Sequence, residues 1–474
     1  MGPERFEQHL KQIVVNIKYE REEGRLSAIN LASMVVDKLP VPELEKHVQL
    51  FFLPLTLQLV NDDSKKCRES VAACLTNLLG RVSVDVVQSL YDFACRWSQG
   101  EGEVQRCALQ LFGFFVDARQ DLMKRGETAT ELLVRLRDIL VSTSPLEVLD
   151  WEISYFALLC LEKLSKPFPK LLLGESELCM VITRCLAHPH TFVKLVSSRL
   201  VYQHLESMDP QSFAEKSKTF LVEKPGSLYE IGRNLCFQLN VEEEQQSDDI
   251  TALSIKSLCW LLPAMKTYPK LCIFEKDNND DNENRNGDDD DQKTTGNPVG
   301  WVMKRLSSIA KPKGPKRRQA VFKAFAALAT NCPKIVTEHM ELMLEPLHRV
   351  DLETANDVEK PSLTSSSRGK PSTNNGEEGI PEEAVMARDV LHLLEEKSDP
   401  PDEFLRAYAA VKTRARERKE QRKLLIKSEA VRDPQAAAKR RQQNNEKEKK
   451  RRKRRVEDRR RERGATAKRS RHLD

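Results

Sequence analysis

Between Val48 and Leu79 the chain reads VQLFFLPLTLQLVNDDSKKCRESVAACLTNLL, and this stretch leaves few choices of fold. Before the NDDS break, Val48, Phe51, Phe52, Leu55 and Leu59 recur at three- and four-residue steps, which puts them on one face of a helix. After it, Val71, Cys74, Leu75, Leu78 and Leu79 do the same on a second helix. One pair of helices cannot hide two apolar stripes this wide. Further pairs must pack on either side, and that requirement is the physical logic of a stacked α-solenoid.

Smaller features sharpen the reading. Pro54 lies early in the first helix, Asp62 and Asp63 at the turn, Arg68 in the first turn of the second helix, and the small residues Ala72 and Ala73 just after it. Pro54, Leu59, Asp62, Arg68 and Ala72 stand at offsets that resemble a HEAT repeat. In mechanical terms the proline bends its helix, the acid at the turn receives an arginine from the adjoining repeat, and small residues let helices approach closely. The plainer alternative is an ordinary amphipathic helical hairpin, which produces some of this pattern by chance. The expected fold is therefore all-α, a HEAT-like α-solenoid.

Composition agrees. Hydrophobic residues make up 39% of the 474, enough for a large core, whereas aromatics are 6% and glycines number 18, which disfavours a β-rich fold or a glycine-rich nucleotide cradle. The net charge of +5 hides a segregation: Lys412 to Asp474 holds 27 Lys and Arg against 10 Asp and Glu, leaving that tail at +17 and the rest at −12. An acidic body with a basic tail points to a polyanionic partner for the tail. Eleven cysteines without a CxxC pair or regular ladder, Cys67, Cys74, Cys179 and Cys185 among them, read as buried free thiols in a reducing compartment. The charged start MGPERFEQHLKQ and the short apolar runs predict no signal peptide, no membrane span and an intracellular location, and Pro3 argues against lipidation at Gly2.

Along the chain, residues 1–274 read as the solenoid. A first helix through PERFEQHLKQIVVNIKYERE, a break at Gly24, and a second through RLSAINLASMVVDKL end at Pro40 and Pro42. Ile13, Val14, Ile17, Leu31 and Val35 would be partly exposed on this hairpin unless more chain precedes it, so the chain is expected to be the later part of a longer array. Further pairs follow at Val86 to Trp97 with Val104 to Val116, Leu132 to Val141 with Trp151 to Leu164, and Leu178 to Leu186 with Phe192 to Leu205. Arg106 echoes Arg68, and Lys194 precedes Ser197 and Ser198 as Arg68 precedes its alanines. Residues 213–240 and 249–271 continue the pattern less regularly.

Residues 275–298 form an acidic loop: Glu275 to Asp291 contains nine acids and two bases, cannot bury itself, and lacks the alternation, glycine and closing glutamate of a calcium loop. The last repeats occupy 299–354, with KPKGPKRR between two of their helices. A Ser-, Asn- and Gly-rich linker follows at 355–381, terminal helices at 382–411, and the basic helical tail at 412–474. Phe404, Leu405, Tyr408 and Val411 make a short docking stripe. Beyond it the chain has helix formers but almost no apolar face, so tertiary packing cannot hold it, and Pro434 divides it.

No catalytic constellation survives weighing. His188, Pro189 and His190 read as a turn rather than a metal pair, GEG at Gly100 to Gly102 has no third glycine, and HExxH, GxSxG and Walker patterns are missing. Neither an enzyme activity nor a cofactor, metal or small-molecule substrate is expected. Binding is carried by Lys439, Arg440 and Arg441, and by the run Lys449, Lys450, Arg451, Arg452, Lys453, Arg454 and Arg455. Seven adjacent cations repel one another, and displacing counterions from a nucleic-acid backbone relieves that cost. The same run suits a nuclear localisation signal, and a merely solvated charged helix is the plainer alternative. With no aromatic residue in the run, contact with RNA should be to phosphate and largely independent of sequence.

VNIKYEREEGRLSAINLASMVVDKLP and FFLPLTLQLVNDDSKKCRESVAACLTNLLGRVS, with GWVMKRLSSIA, RRQAVFKAFAALA, FLRAYAAVKTRARERKEQRK and VRDPQAAAKRR, resemble the C-terminal part of the DRIM family, the very large HEAT-repeat subunit of the small-subunit processome. The resemblance spans most of the chain in order and is missing from the acidic loop, the Ser-rich loop and the last residues. It implies a nucleolar scaffold without catalytic residues. The implied partners are small nucleolar RNA, pre-ribosomal RNA and other processome proteins, in support of small-subunit biogenesis. Family members are far longer, so the chain is expected to be part of one or a short form. The runner-up is a HEAT-type nuclear transport adaptor, against which stands the chain's own basic signal, which would tend to fill its cargo site.

Overall fold

The computed structural model describes residues 3–142, 150–173, 175–216, 219–240, 247–273, 297–311, 314–358, 381–398 and 400–435, with 438–439, 441–443, 445–446, 449–450 and 453 of the tail. The chain divides into two compact units, Met1–Pro401 and Asp402–Asp474. Only helices, turns and loops occur among the described residues.

The first unit is a series of hairpins. Its long helices are α1 (Pro3–Asn16) and α2 (Glu22–Lys38), α3 (Val48–Asn61) and α4 (Lys65–Arg81), α5 (Val84–Trp97) and α6 (Glu103–Ala118), and α7 (Thr128–Ser142) and α8 (Trp151–Ser165). They continue with α9 (Ser176–Cys185) and α10 (Thr191–Glu206), α11 (Ser227–Leu239) and α12 (Asp248–Thr267), α13 (Pro298–Ile309) and α14 (Pro315–Asn331), and α15 (Met340–Val358) and α16 (Glu382–Lys397). Within each pair the helices pack together, and each second helix packs on the next second helix from α2 through α16. The first helices of later pairs, α7, α9, α11, α13 and α15, also touch in succession. This two-layer stack is an all-α, HEAT-like solenoid.

The stripes that define α3 and α4 are its core: Phe51, Phe52, Leu55, Val71, Cys74, Leu75, Leu78 and Leu79 are fully buried. Pro54 sits inside α3, where it supplies no N–H to the carbonyl four residues back. Ser64 caps α4, accepting the Cys67 N–H at 3.4 Å. Asp62 at the turn is buried, and it accepts Arg25 Nε and Nη2 at 2.9 Å each, Gln58 Nε2 at 2.5 Å and the Ser64 N–H at 2.8 Å. The arginine from the adjoining repeat is thus Arg25. Arg68 stays within its own hairpin and donates to the carbonyls of Asp62 and Asp63 at 2.5 and 3.1 Å. Ala72 is half-buried and Ala73 exposed, so close approach on that side of α4 rests on Ala72 alone.

Repeats are also joined through helix ends, whose last carbonyls lack partners within their own helix. Arg81 donates to the carbonyls of Val36 and Leu39 at the end of α2. Arg119, just beyond α6, does the same for Leu79 at 3.2 Å and Val82 at 2.6 Å at the end of α4. Farther on, the buried Gln238 of α11 donates to the Leu186 carbonyl and to Ser198 Oγ, both at 2.9 Å, and accepts the Ser254 hydroxyl at 2.6 Å. One amide thereby ties four helices together. Arg318, 2% exposed, donates to Glu353 of α15 at 3.1 Å and Glu383 of α16 at 3.4 Å.

Several expectations are corrected. The first hairpin breaks at residues 17–21 and not at Gly24, which lies inside α2. The absent side chain of Gly24 leaves room for the Tyr19 ring, whose Cδ1 would stand 2.3 Å from a Cβ there. Val14 and Ile17, expected near the surface, are buried, whereas Leu31 is 46% exposed and Met34 61%. Pro42 is part of a short helix, Val41–Lys46, and does not end the hairpin. Helix α15 continues to Val358, past the expected start of the linker at 355. Of the acidic loop and the Ser-rich linker, residues 274–296 and 359–380 lie outside the described residues.

Candidate nucleic-acid interface

The second unit is built on α17 (Pro401–Arg432). Its first turn carries Asp402 and Glu403, favourable near the positive end of the helix dipole. Phe404 and Tyr408, one turn apart, stack with centroids 5.7 Å apart, and Lys412 Nζ lies 4.2 Å above the Tyr408 ring. Of the predicted stripe, Phe404 and Val411 are buried and Leu405 is 59% exposed. Next in sequence come Arg414, Arg416, Arg418, Lys419, Arg422 and Lys423 on a continuous helix. Leu424, Leu425 and Ile426 follow at 64, 60 and 59% exposure, an apolar triplet that the reading of this region as lacking an apolar face missed. The signal was present in the letters, as three adjacent aliphatics inside a cationic helix.

The helix ends at Arg432, and Asp433 before Pro434 is not helical, so the proline divides the tail as expected. Beyond it Lys439, Arg441, Lys449, Lys450 and Lys453 are helical and exposed. Arg440, Arg451, Arg452, Arg454 and Arg455 lie outside the described residues. Fixed cations on a solvated helix offer phosphate oxygens charge without a shaped pocket, which is chemistry for contacting a polyanion and not for selecting a base.

Elsewhere the chemistry-bearing residues have structural partners. The Nδ1 atom of His188, which is buried rather than exposed, accepts the His190 N–H at 3.0 Å. His190 accepts the Phe192 N–H as the cap of α10, and its ring stacks 3.6 Å from that of Trp151. Burial pushes the thiols of Cys74, Cys107, Cys160, Cys179, Cys185 and Cys236 up to about 12, far from the thiolate that metal binding or nucleophilic attack requires. No group of three or more His, Cys, Asp or Glu able to hold a metal ion occurs among the described residues. No described helix is long and apolar enough to cross a membrane.

No protein-family model matches the chain. Against curated proteins, 207 residues, 43% of the chain, align at 25% identity with U3 small nucleolar RNA-associated protein 20 of Saccharomyces cerevisiae. The protein of the same name from Schizosaccharomyces pombe aligns over 222 residues, 46% of the chain, at 23% identity. The chain resembles U3 small nucleolar RNA-associated protein 20. The match covers 8% and 9% of those two proteins, so the chain spans a small share of the length of the U3 small nucleolar RNA-associated proteins it resembles. Among solved structures, a chain of the assembly in which Kap95p binds RanGDP superposes with a TM-score of 0.51 over 84% of this chain and 48% of that one. At 10% identity that likeness concerns the solenoid fold alone.

Proposed function

We propose that the chain is a non-catalytic scaffold subunit of the nucleolar small-subunit processome. In this reading the solenoid holds processome proteins, and the basic tail grips phosphates of pre-ribosomal and small nucleolar RNA, serves as the nuclear localisation signal, or does both. The observation that carries it is the alignment of nearly half the chain with a U3 small nucleolar RNA-associated protein in two yeasts. The segregated charge supports the same reading. A body at −12 repels RNA and suits protein contacts, while a tail at +17 attracts it.

The test is sedimentation of the tagged chain from nuclear extract. Co-migration with pre-ribosomal particles that collapses on ribonuclease treatment is the expected result. Migration as free protein, or in a complex that assembles and dissociates with the nucleotide state of a small GTPase, overturns the proposal and leaves the transport adaptor.

A further inference from the structure

Most arginines of the solenoid are engaged: Arg25, Arg68, Arg81, Arg106, Arg119, Arg137, Arg318 and Arg388 all meet carboxylates or carbonyls. Others, Arg5 and Arg21 among them, are not, and three of these lie on adjoining helices. Arg184 on α9, Arg233 on α11 and Arg305 on α13 are exposed and make no ion pair or hydrogen bond through their side chains among the described residues. Lys304, exposed beside Arg305, is the same.

These residues share one face. Helices α9, α11 and α13 are consecutive members of the first-helix layer and pack side by side. Asn234, next to Arg233, donates to the carbonyl of Thr183, next to Arg184, at 3.0 Å. Tyr229 of α11 and Trp301 of α13 have ring centroids 4.8 Å apart, and a Cβ on Gly232 would touch Val302 Cγ2 at 3.5 Å, so the turns bearing Arg233 and Arg305 adjoin. The charge of Arg305 is felt at Cys236 on α11. An acid, Glu230, lies near enough to Arg184 and Arg233 for the charge of each to act on it, while burial pushes its carboxyl above the usual range. On the same side of α11, one turn beyond Arg233, Phe237 is 49% exposed.

We propose that this face is a second RNA-contact surface, on which Arg184, Arg233 and Arg305 meet successive phosphates of a single strand and Phe237 stacks on a base. Three exposed guanidiniums without a direct ion pair, on adjoining helices of an otherwise acidic body, supply the charge complementarity, and guanidinium geometry suits bidentate phosphate contact. Neighbouring helices stand about 8 to 10 Å apart, so the three arginines form a track and not a point. The exposed ring separates this surface from the tail, which has no stacking residue in its basic run. An acidic peptide would use the cations but not the ring. The inference rests on the reading of the chain as a ribonucleoprotein scaffold.

The experiment uses the whole chain, labelled oligouridine as probe, a salt titration, and oligoglutamate as competitor. R184Q/R233Q/R305Q is expected to weaken oligouridine binding about tenfold and to flatten the slope of log affinity against log salt by about 2, the share of three contacts to a single strand. F237A is expected to cost about five- to tenfold with the slope unchanged. The corresponding triple Arg→Lys variant keeps the slope and controls for damage to the fold. Parental affinity and slope in the glutamine variant overturn the proposal, as does oligoglutamate competing as well as unlabelled oligouridine. If only a tail variant loses binding, this surface is refuted and the tail reading stands; if neither variant loses binding, the RNA reading itself fails.

Discussion

Arg25, at the fourth position of α2, and Asp62, at the end of α3, form a two-point ion pair across a repeat boundary, Nε and Nη2 each 2.9 Å from a carboxylate oxygen. Burial alone would push the Asp62 carboxyl up, but hydrogen bonds from Arg25, Gln58 and the Ser64 backbone together hold it below the usual carboxylate range. Asp62→Ala leaves all three donors without their acceptor and should cost roughly 2 kcal/mol. In a repeat array such damage stays local. Hydrogen exchange is therefore expected to accelerate in Glu22–Lys38 and Lys65–Arg81 while Pro315–Asn331 keeps the parental rate. Uniform acceleration along the chain would contradict a nearest-neighbour stack.

Arg119 should behave as a cross-repeat cap. The Arg119→Met substitution keeps the buried stem but strips the Leu79 and Val82 carbonyls of their donor, at a cost of about 1–3 kcal/mol. The same guanidinium holds Asp121 at about 2 through a hydrogen bond from its side chain. Carbon-detected titration is expected to find the Asp121 carboxyl back near 4 in the variant. The favourable effect of the pair on stability is complete above that ordinary value and disappears as pH falls toward 2, so an unchanged Asp121 titration would refute the pairing.

Acid should loosen the stack around α10 well before carboxylates titrate. Burial depresses the His204 imidazole to about 4, and its Nε2 lies 3.1 Å from Thr219 Oγ1. Between the ordinary histidine value near 6.5 and about 4 the unfolded chain takes up a proton that the folded chain refuses. Stability is therefore whole above 6.5 and falls by up to about 1.4 kcal/mol per pH unit below it. Thermal melts from pH 7 to 5 should show the decline, and His204→Gln should make it shallower. Equal slopes in both proteins would show that His204 titrates freely in the fold.

Binding of RNA by the tail should be steeply dependent on salt. With about six phosphate contacts, affinity for a structured RNA is expected to fall on the order of 10² to 10³-fold between 50 and 200 mM salt. Replacing Lys449, Lys450 and Lys453 with glutamine should flatten that dependence and weaken binding alike for unrelated RNA sequences. Fluorescence anisotropy with two unrelated RNAs reads both effects, and a flat salt response in the parent would end the phosphate model of the tail.

Much of the stack was legible because helix periodicity is a local property. The buried faces of α3 and α4 are the residues whose spacing marks them in the letters, and Pro54 lies inside α3 with Asp62 at its end. Arg68 shows where local reading ends. It occupies the fourth position of α4 as Arg25 does of α2, and both donate to the carbonyls five and six residues back, but Arg25 also reaches the Asp62 carboxylate of the next repeat. Equivalent positions share their local bonds and differ in whether a carboxylate is met across the repeat boundary.

The letters by themselves determined the helical hairpins, the acidic body and the cationic tail, since periodicity, capping and charge depend on residues close together in the chain. Only the packed structure decided that Gln238 ties four helices, that Arg119 caps a helix one repeat back, and that the helices bearing Arg184, Arg233 and Arg305 pack in succession. Such relationships join residues on different helices, from 16 to 52 positions apart for the bonds of Gln238, and their partners are set by how neighbouring helices align, which no local pattern encodes.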